Sequence, residues 1–471
     1  MKLFNTAERK IETFEAIEDG KVRIYTCGPT VYSAPHIGNF ASYIYWDLLV
    51  RALKAEGYEV TRILNLTDVG HLASDADDGE DKMEKGAKKE GKTVWEIADF
   101  YIAKYMNDFH ALNLVEPTKI CRATDYIKED MAAVDAMTKN GFTYETSDGI
   151  YFDTSKYSNY AKFANLDLEN IKAGARVEFN DEKRNASDFA VWKFIKPGEN
   201  HAMRWDYLGR PGYPGWHLEC STIIDTELGE PIDIHTGGID HIPVHHTNEI
   251  AQTYAISGKK LANYWLHCNF INIDGQKISK SLGNVYTIED LAERGFSPMD
   301  FKLWILQGHY QSDRNFTFEN LDAAKNRRLN WRNRIALCLQ NPEDDSRARS
   351  SLLSSQGSSL SPRRDCGFAR EPLQNILSAV SNNLNSAEAF AIIDNSELSY
   401  EDWVAIDELF GLNLIEDSKD ITTEQKVLLK EREQAREAKD WQKSDDIRHE
   451  LELQGITIKD GPTGQIWQYL N

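Results

Sequence analysis

The chain has 471 residues, 41% of them hydrophobic, which supports a sizeable core divided among several domains and excludes a single small fold. Its formal net charge of −21 excludes an evenly basic surface for nucleic acid, so a polyanion would have to meet local basic patches. Cysteines at 27, 121, 220, 268, 338 and 366 are too dispersed for a disulfide-stapled secreted scaffold, and no run of about 20 apolar residues offers a membrane crossing, so a cytoplasmic protein is expected. In chain order, VRIYTCG at 22–28 predicts a strand ending at Cys27. A proline turn follows, then helical periodicity over 37–57 and a second strand over 58–69. This strand, helix, strand unit is the start of an α/β domain with a Rossmann-like parallel sheet, whose ligand groups emerge at the carboxyl ends of the strands. The charged, glycine-rich stretch 70–92 predicts a surface loop and 93–113 a helix.

Residues 114–214 mix aromatic strand-like pieces with polar turns and read as an inserted mixed domain, after which the second half of the α/β domain resumes over 215–300. It carries a strand at 231–238, a helix at 249–257 and a strand-like NFINID at 269–274. Residues 301–430 read as a helical domain, interrupted by a serine-rich, charged run at 341–365 expected to be a mobile surface segment. The last unit, 431–471, combines the end of a helical stretch at 421–455 with a hairpin at 456–467. Five Lys or Arg lie within 321–334, a basic run suited to RNA phosphates or, equally, to a solvated helix face.

Cys27, Cys220, His245 and Glu249 form a candidate metal set. His245 and Glu249 are four apart and share a face if the segment is helical, while separate elements can bring in the two cysteines. Two thiolates, an imidazole and a carboxylate favour Zn²⁺ over Mg²⁺, although isolated histidines are more often structural. His36 opens a helix whose amino end can face phosphate oxygens. Lys277 and Lys280 flank Ser279 in a polar loop that can place ammonium charge on phosphates.

With PHIGN at 35–39, KISKS at 277–281, CGPTVY at 27–32, GRPGYPGWHLECS at 209–221 and DIHTGGIDHIPVHHTNEIAQ at 233–252, the chain resembles the cysteinyl-tRNA synthetases of class I. The likeness covers most of 20–330, with a weaker match at 431–467 to the family's anticodon-binding end. It implies one Zn²⁺ on Cys27, Cys220, His245 and Glu249, with His246 beside the site rather than on the metal, and Thr67 and Trp216 around the cysteine substrate. It further implies that His36, Lys277 and Lys280 act on Mg²⁺-ATP, and that Gly38, Asn39, Gly237, Gly238 and Asp240 hold the nucleotide. Cysteine would be adenylated and passed to the terminal adenosine of cysteine tRNA by an enzyme that is a monomer in this family, with no membrane partner. Asn39 replaces the second histidine of HIGH, Ile278 the methionine of KMSKS, and Thr247 an acidic residue. The alternatives are a ligase joining cysteine to a small-molecule amine, as in mycothiol pathways, and a non-enzymatic zinc-containing RNA-binding module. The terminal unit opposes the first, and the ATP motifs oppose the second. An anticodon-stacking or a core role is open for Trp467.

Overall fold

In the computed structural model, residues 1–70, 87, 91–166, 182–196, 198, 201–340, 370–461 and 464–470 are described. The expected serine-rich segment at 341–365 and most of the 70–92 loop lie outside them. The centre is a five-stranded parallel sheet in the order Ala262–Cys268, Ile232–Gly238, Lys21–Thr26, Glu59–Leu66, Lys119–Arg122. The strand order reverses direction between Lys21–Thr26 and Ile232–Gly238. Parallel sheets open a crevice at the carboxyl ends of the strands at such a reversal. The helix Ile37–Ala55 buries an almost continuous apolar face, including Phe40, Ile44, Trp46, Leu48 and Leu53, which forces the crossover to pack against the sheet.

One boundary is corrected. Lys119–Arg122 falls within the expected 114–214 insertion but pairs in parallel with Glu59–Leu66, so it is the edge strand of the central sheet. Its sequence, KICR, has too few apolar residues to signal a sheet position, as a half-covered edge strand permits. Beyond it, an antiparallel sheet ordered Thr143–Thr146, Gly149–Phe152, Phe189–Phe194, Arg210–Pro214, Trp205–Tyr207 forms a second layer. The helix Ile127–Lys139 bridges the layers by placing Ile127, Val134 and Met137 in one apolar cluster with Phe152, Trp192, Leu218 and Ala251.

A small sheet of Ile271–Ile273, Gln276–Lys277 and Arg314–Phe316 carries the chain out of the pocket. The fully buried Lys302 ammonium meets Asp47 at 2.8 Å, and Arg51 meets the same carboxylate at 2.9 Å while donating to the Glu408 carbonyl. This charged knot joins the sheet's first helix to the helical domain. The long helix Phe318–Gln340 then reaches the terminal unit, where Thr423–Glu437 and Trp441–Leu453 precede an antiparallel hairpin of Ile456–Gly461 and Gly464–Tyr469. Among the described residues no helix is long and apolar enough to cross a membrane.

Candidate active site

A cavity of about 760 Å³ opens at the carboxyl edge of the sheet and is lined by residues of both halves. Cys27 follows its strand directly, and its N–H donates to the Thr236 carbonyl at 3.1 Å across the reversal point. Cys220 lies on the helix Trp216–Glu227, and Glu249 on the helix Thr247–Ser257. His245 precedes that second helix in a wide π-type turn, Ile242–His246, so the spacing of four that suggested one helical face spans a turn and a helix. The ligand atoms of Cys27, Cys220, His245 and Glu249 all lie within 4.8 Å of one another, and all four residues are buried.

The electrostatics are those of a compact donor set. His245 Nε2 is 2.8 Å from Glu249 Oε1, and Cys27 Sγ is 4.0 Å from the same oxygen. Burial opposes ionisation of Glu249, but the charges of His235 and His245 outweigh it and hold the carboxyl below its usual range. Burial pushes the Cys27 thiol well up, while its hydrogen bond to Cys220 holds the Cys220 thiol below its ordinary value. Without a cation the two sulfurs thus resist ionising together. Soft sulfur donors with one imidazole and one carboxylate fit Zn²⁺, which relieves that conflict, and do not fit Mg²⁺.

The surrounding layer was mostly missed by sequence reasoning. His217 Nδ1 is 2.9 Å from His245 Nδ1 and orients the ring, and His235 Nε2 is 2.6 Å from Glu249 Oε2. His246 Nε2 lies 3.3 Å from Cys27 Sγ, and its Nδ1 is 2.7 Å from His267 Nε2. These geometries also bring Cys27, His235, His246 and Glu249 within 4.8 Å of one another, an alternative donor set sharing two members with the first. A signal did exist for His217, which stands three residues before Cys220 and so on the same helical face.

The remaining expected residues whose side chains are described line the same cavity, and Lys280 begins the short turn Lys280–Leu282. Trp216 places its ring 4.8 Å from that of His245. Thr67 is buried just beyond its strand, its hydroxyl accepting from Asn65 Nδ2 at 3.1 Å. His36 caps the helix Ile37–Ala55, and its N–H donates to Asn39 Oδ1 at 3.0 Å, which leaves the Asn39 amide nitrogen for another acceptor. A Cβ on Gly38 would stand 2.6 Å from Ile278 Cδ1, so the PHIGN and KISKS segments are in direct contact. At Gly237 a Cβ would stand 2.6 Å from His246 Cε1, and at Gly238 it would stand 2.3 Å from Asp240 Oδ1. Both glycines keep the strand end close to its neighbours.

Two readings that the residues left open are decided by their contacts. Arg328 is buried against Asp417 and the Leu412 carbonyl, Arg332 donates to the Asp417 carbonyl, and Arg334 donates to the carbonyls of Ile393 and Ser396. Arg327 pairs with Asp394, and Lys325 donates to the Gly295 carbonyl, so the basic run chiefly joins helices. Trp467 is a core residue, packed with Ala336, Ile421 and Ile456. The exposed aromatic of the terminal unit is Trp441, at 57% exposure.

A parallel sheet with the PHIGN helix on one wall of its switch-point pocket and the KISKS loop on the other defines a class I aminoacyl-tRNA synthetase catalytic domain. The family model for the tRNA synthetases class I (C) catalytic domain matches residues 13–326, and that for the cysteinyl-tRNA ligase anticodon binding domain matches 418–467. A cysteine–tRNA ligase of Treponema denticola is 40% identical over 491 aligned positions, covering 100% of both chains. Cysteine–tRNA ligase 1 of Burkholderia lata is 41% identical, covering 99% of this chain and 96% of its own. The fold alone is shared with Mycobacterium tuberculosis methionyl-tRNA synthetase in complex with methionyl-adenylate, at a TM-score of 0.55 and 15% identity, covering 87% of this chain and 85% of that one. The chain belongs to the cysteinyl-tRNA ligase family of class I.

Proposed function

We propose that the protein activates L-cysteine with Mg²⁺-ATP and transfers it to the terminal adenosine of cysteine tRNA, acting as a cytoplasmic monomer. The observation that carries this reading is the convergence of Cys27, Cys220, His245 and Glu249, the first three of which line the pocket shared with the PHIGN and KISKS segments. These four residues hold Zn²⁺, which when bound offers a soft Lewis acid to a side-chain sulfur and a poor one to a serine hydroxyl. Trp216 and Thr67 take the amino acid and Gly237, Gly238 and Asp240 the nucleoside, a division supported by all five lining one cavity.

The cysteine carboxylate attacks the α-phosphate of ATP, the bond to the β-phosphate breaks, and pyrophosphate leaves. His36, Gly38 and Asn39 position the triphosphate at the helix amino end, while Lys277 and Lys280 stabilise the charge that develops on its oxygens. A ribose hydroxyl of the terminal adenosine then attacks the acyl carbon and releases AMP. Residues 1–122, which take in the edge strand Lys119–Arg122, and 215–300 make the catalytic domain around the inserted region, 301–430 contact the tRNA stem, and 431–471 take the anticodon end. Cysteine-dependent exchange of pyrophosphate into ATP and charging of cysteine tRNA test the reading together. Exchange without charging would move the assignment to a ligase of small amines, and binding of tRNA without exchange to a non-catalytic module.

A further inference from the structure

The KISKS loop is held by a side chain outside both lysines and outside the cavity lining. Asn284 Oδ1 accepts from the Ser279 N–H at 2.8 Å, and Asn284 Nδ2 donates to the Lys277 carbonyl at 3.1 Å. The orientation of this amide is fixed by its partners, because a backbone N–H only donates and a carbonyl only accepts. One side chain thus clamps the backbone on both sides of Ile278. The turn closes through the Leu282 N–H on the Ser279 carbonyl at 3.1 Å and a left-handed Gly283, φ +66°. Two residues past Asn284, the Tyr286 carbonyl accepts from the Ile37 N–H at 2.8 Å, at the first turn of the PHIGN helix. Ile278, in turn, seats its Cδ1 over Gly38.

We infer that Asn284 is a positioning residue for adenylation, setting where Lys277 leaves the backbone and holding Ile278 against Gly38. The inference rests on the reading of KISKS as the phosphate clamp. Without the amide, the 277–279 backbone loses both bonds to Asn284 while the pairing of Lys277 with Asn272 and the Tyr286 tie remain, so the loop stays attached but the carbonyl side of Lys277 and the Ile278 backbone are no longer fixed. A displacement on the order of 1 Å of a group acting on the reacting phosphates costs up to about 100-fold in rate.

The test is single-turnover adenylate formation with the full-length chain. Asn284→Ala should slow the step by roughly 10- to 100-fold with the KM for cysteine, zinc content and melting temperature near those of the parent. Asn284→Gln, which keeps the amide but moves it by one methylene, should recover only part of the rate. In a Lys277→Ala background, Asn284→Ala should cost much less, because two residues acting through one group are not additive. A normal rate for Asn284→Ala, or fully additive losses in the double variant, would overturn the inference. Slow Lys277→Ala and Lys280→Ala variants beside a normal Asn284→Ala would leave the phosphate-clamp reading standing, whereas normal rates for both lysine variants would remove that reading itself.

Discussion

Gly38→Ala tests the contact between the two nucleotide-binding segments directly. Carbon atoms rest about 3.5–4.0 Å apart, so an added Cβ at 2.6 Å from Ile278 Cδ1 is roughly 1 Å too close. The His36 ring gives no room either, with Nδ1 at 3.0 Å and Cε1 at 3.1 Å from the same point. Overpacking of this kind costs about 1–3 kcal/mol. If the strain is relieved by pushing the KISKS loop and His36 away from their catalytic positions, the rate of adenylation falls by about 5- to 160-fold, at about 1.4 kcal/mol per tenfold. Helix stability moves the other way, since alanine is favoured over glycine by up to about 1 kcal/mol in a helix. The expected signature is therefore slower pyrophosphate exchange and a raised KM for ATP, with a loss of melting temperature that the helix gain reduces. Ile278→Val removes the Cδ1 atom and should return part of the loss in the double variant, the remainder belonging to His36. An undiminished exchange rate in Gly38→Ala, or no recovery in the double variant, would refute the contact as a determinant of activity.

Elemental analysis should find about one zinc per chain, and Cys220→Ser should lower both zinc retention and cysteine activation, since a hydroxyl does not replace a thiolate; a fully active zinc-free preparation would sink the metal assignment. Lys280→Ala should slow adenylation by roughly 100-fold, about 2.7 kcal/mol, with cysteine affinity little changed; a near-normal rate would exclude it as the phosphate clamp. Trp441→Ala should weaken tRNA charging by up to about 1–3 kcal/mol per lost base stack and spare adenylate formation, and equal effects on both activities would count against an RNA contact. The hydrogen bond from the buried Arg432, reinforced by Arg436 and Arg448, holds the Asp460 carboxyl below its usual range. Its folded-state pKa is lower than the unfolded one, so its contribution is present above about pH 3.9 and lost as pH falls through the folded value. The melting-temperature deficit of Asp460→Asn should therefore shrink on acidification below about pH 4, and a deficit independent of pH would refute the ion-pair account.

The strand, helix, strand opening was legible because Ile37–Ala55 buries a helical stripe and the flanking strands are buried toward their carboxyl ends. The four donors were legible as residue types and, through resemblance, as a set; their convergence depends on strand order, which no local pattern encodes. The edge strand Lys119–Arg122 escaped because four residues with two charges carry no period. His235 and His267 were opaque for a different reason. A histidine's partners come from distant elements, here Glu249 and His246, so its neighbours in sequence say little about its role. The basic run stayed open because charge alone does not distinguish a guanidinium facing RNA from one facing a carbonyl.

The inward use of those arginines bears on how binding responds to ionic strength. Each cation that neutralises a phosphate releases condensed counterions and steepens the fall of log K with log salt by roughly 0.7–0.9. Arg328, Arg332 and Arg334 are engaged by carbonyls and an aspartate within the helical domain. A phosphate reaching them has to compete with these bonds. The slope, measured by titrating tRNA at several potassium chloride concentrations, counts the phosphate contacts the chain makes, and Arg328→Ala should leave that slope unchanged where the guanidinium stays on Asp417.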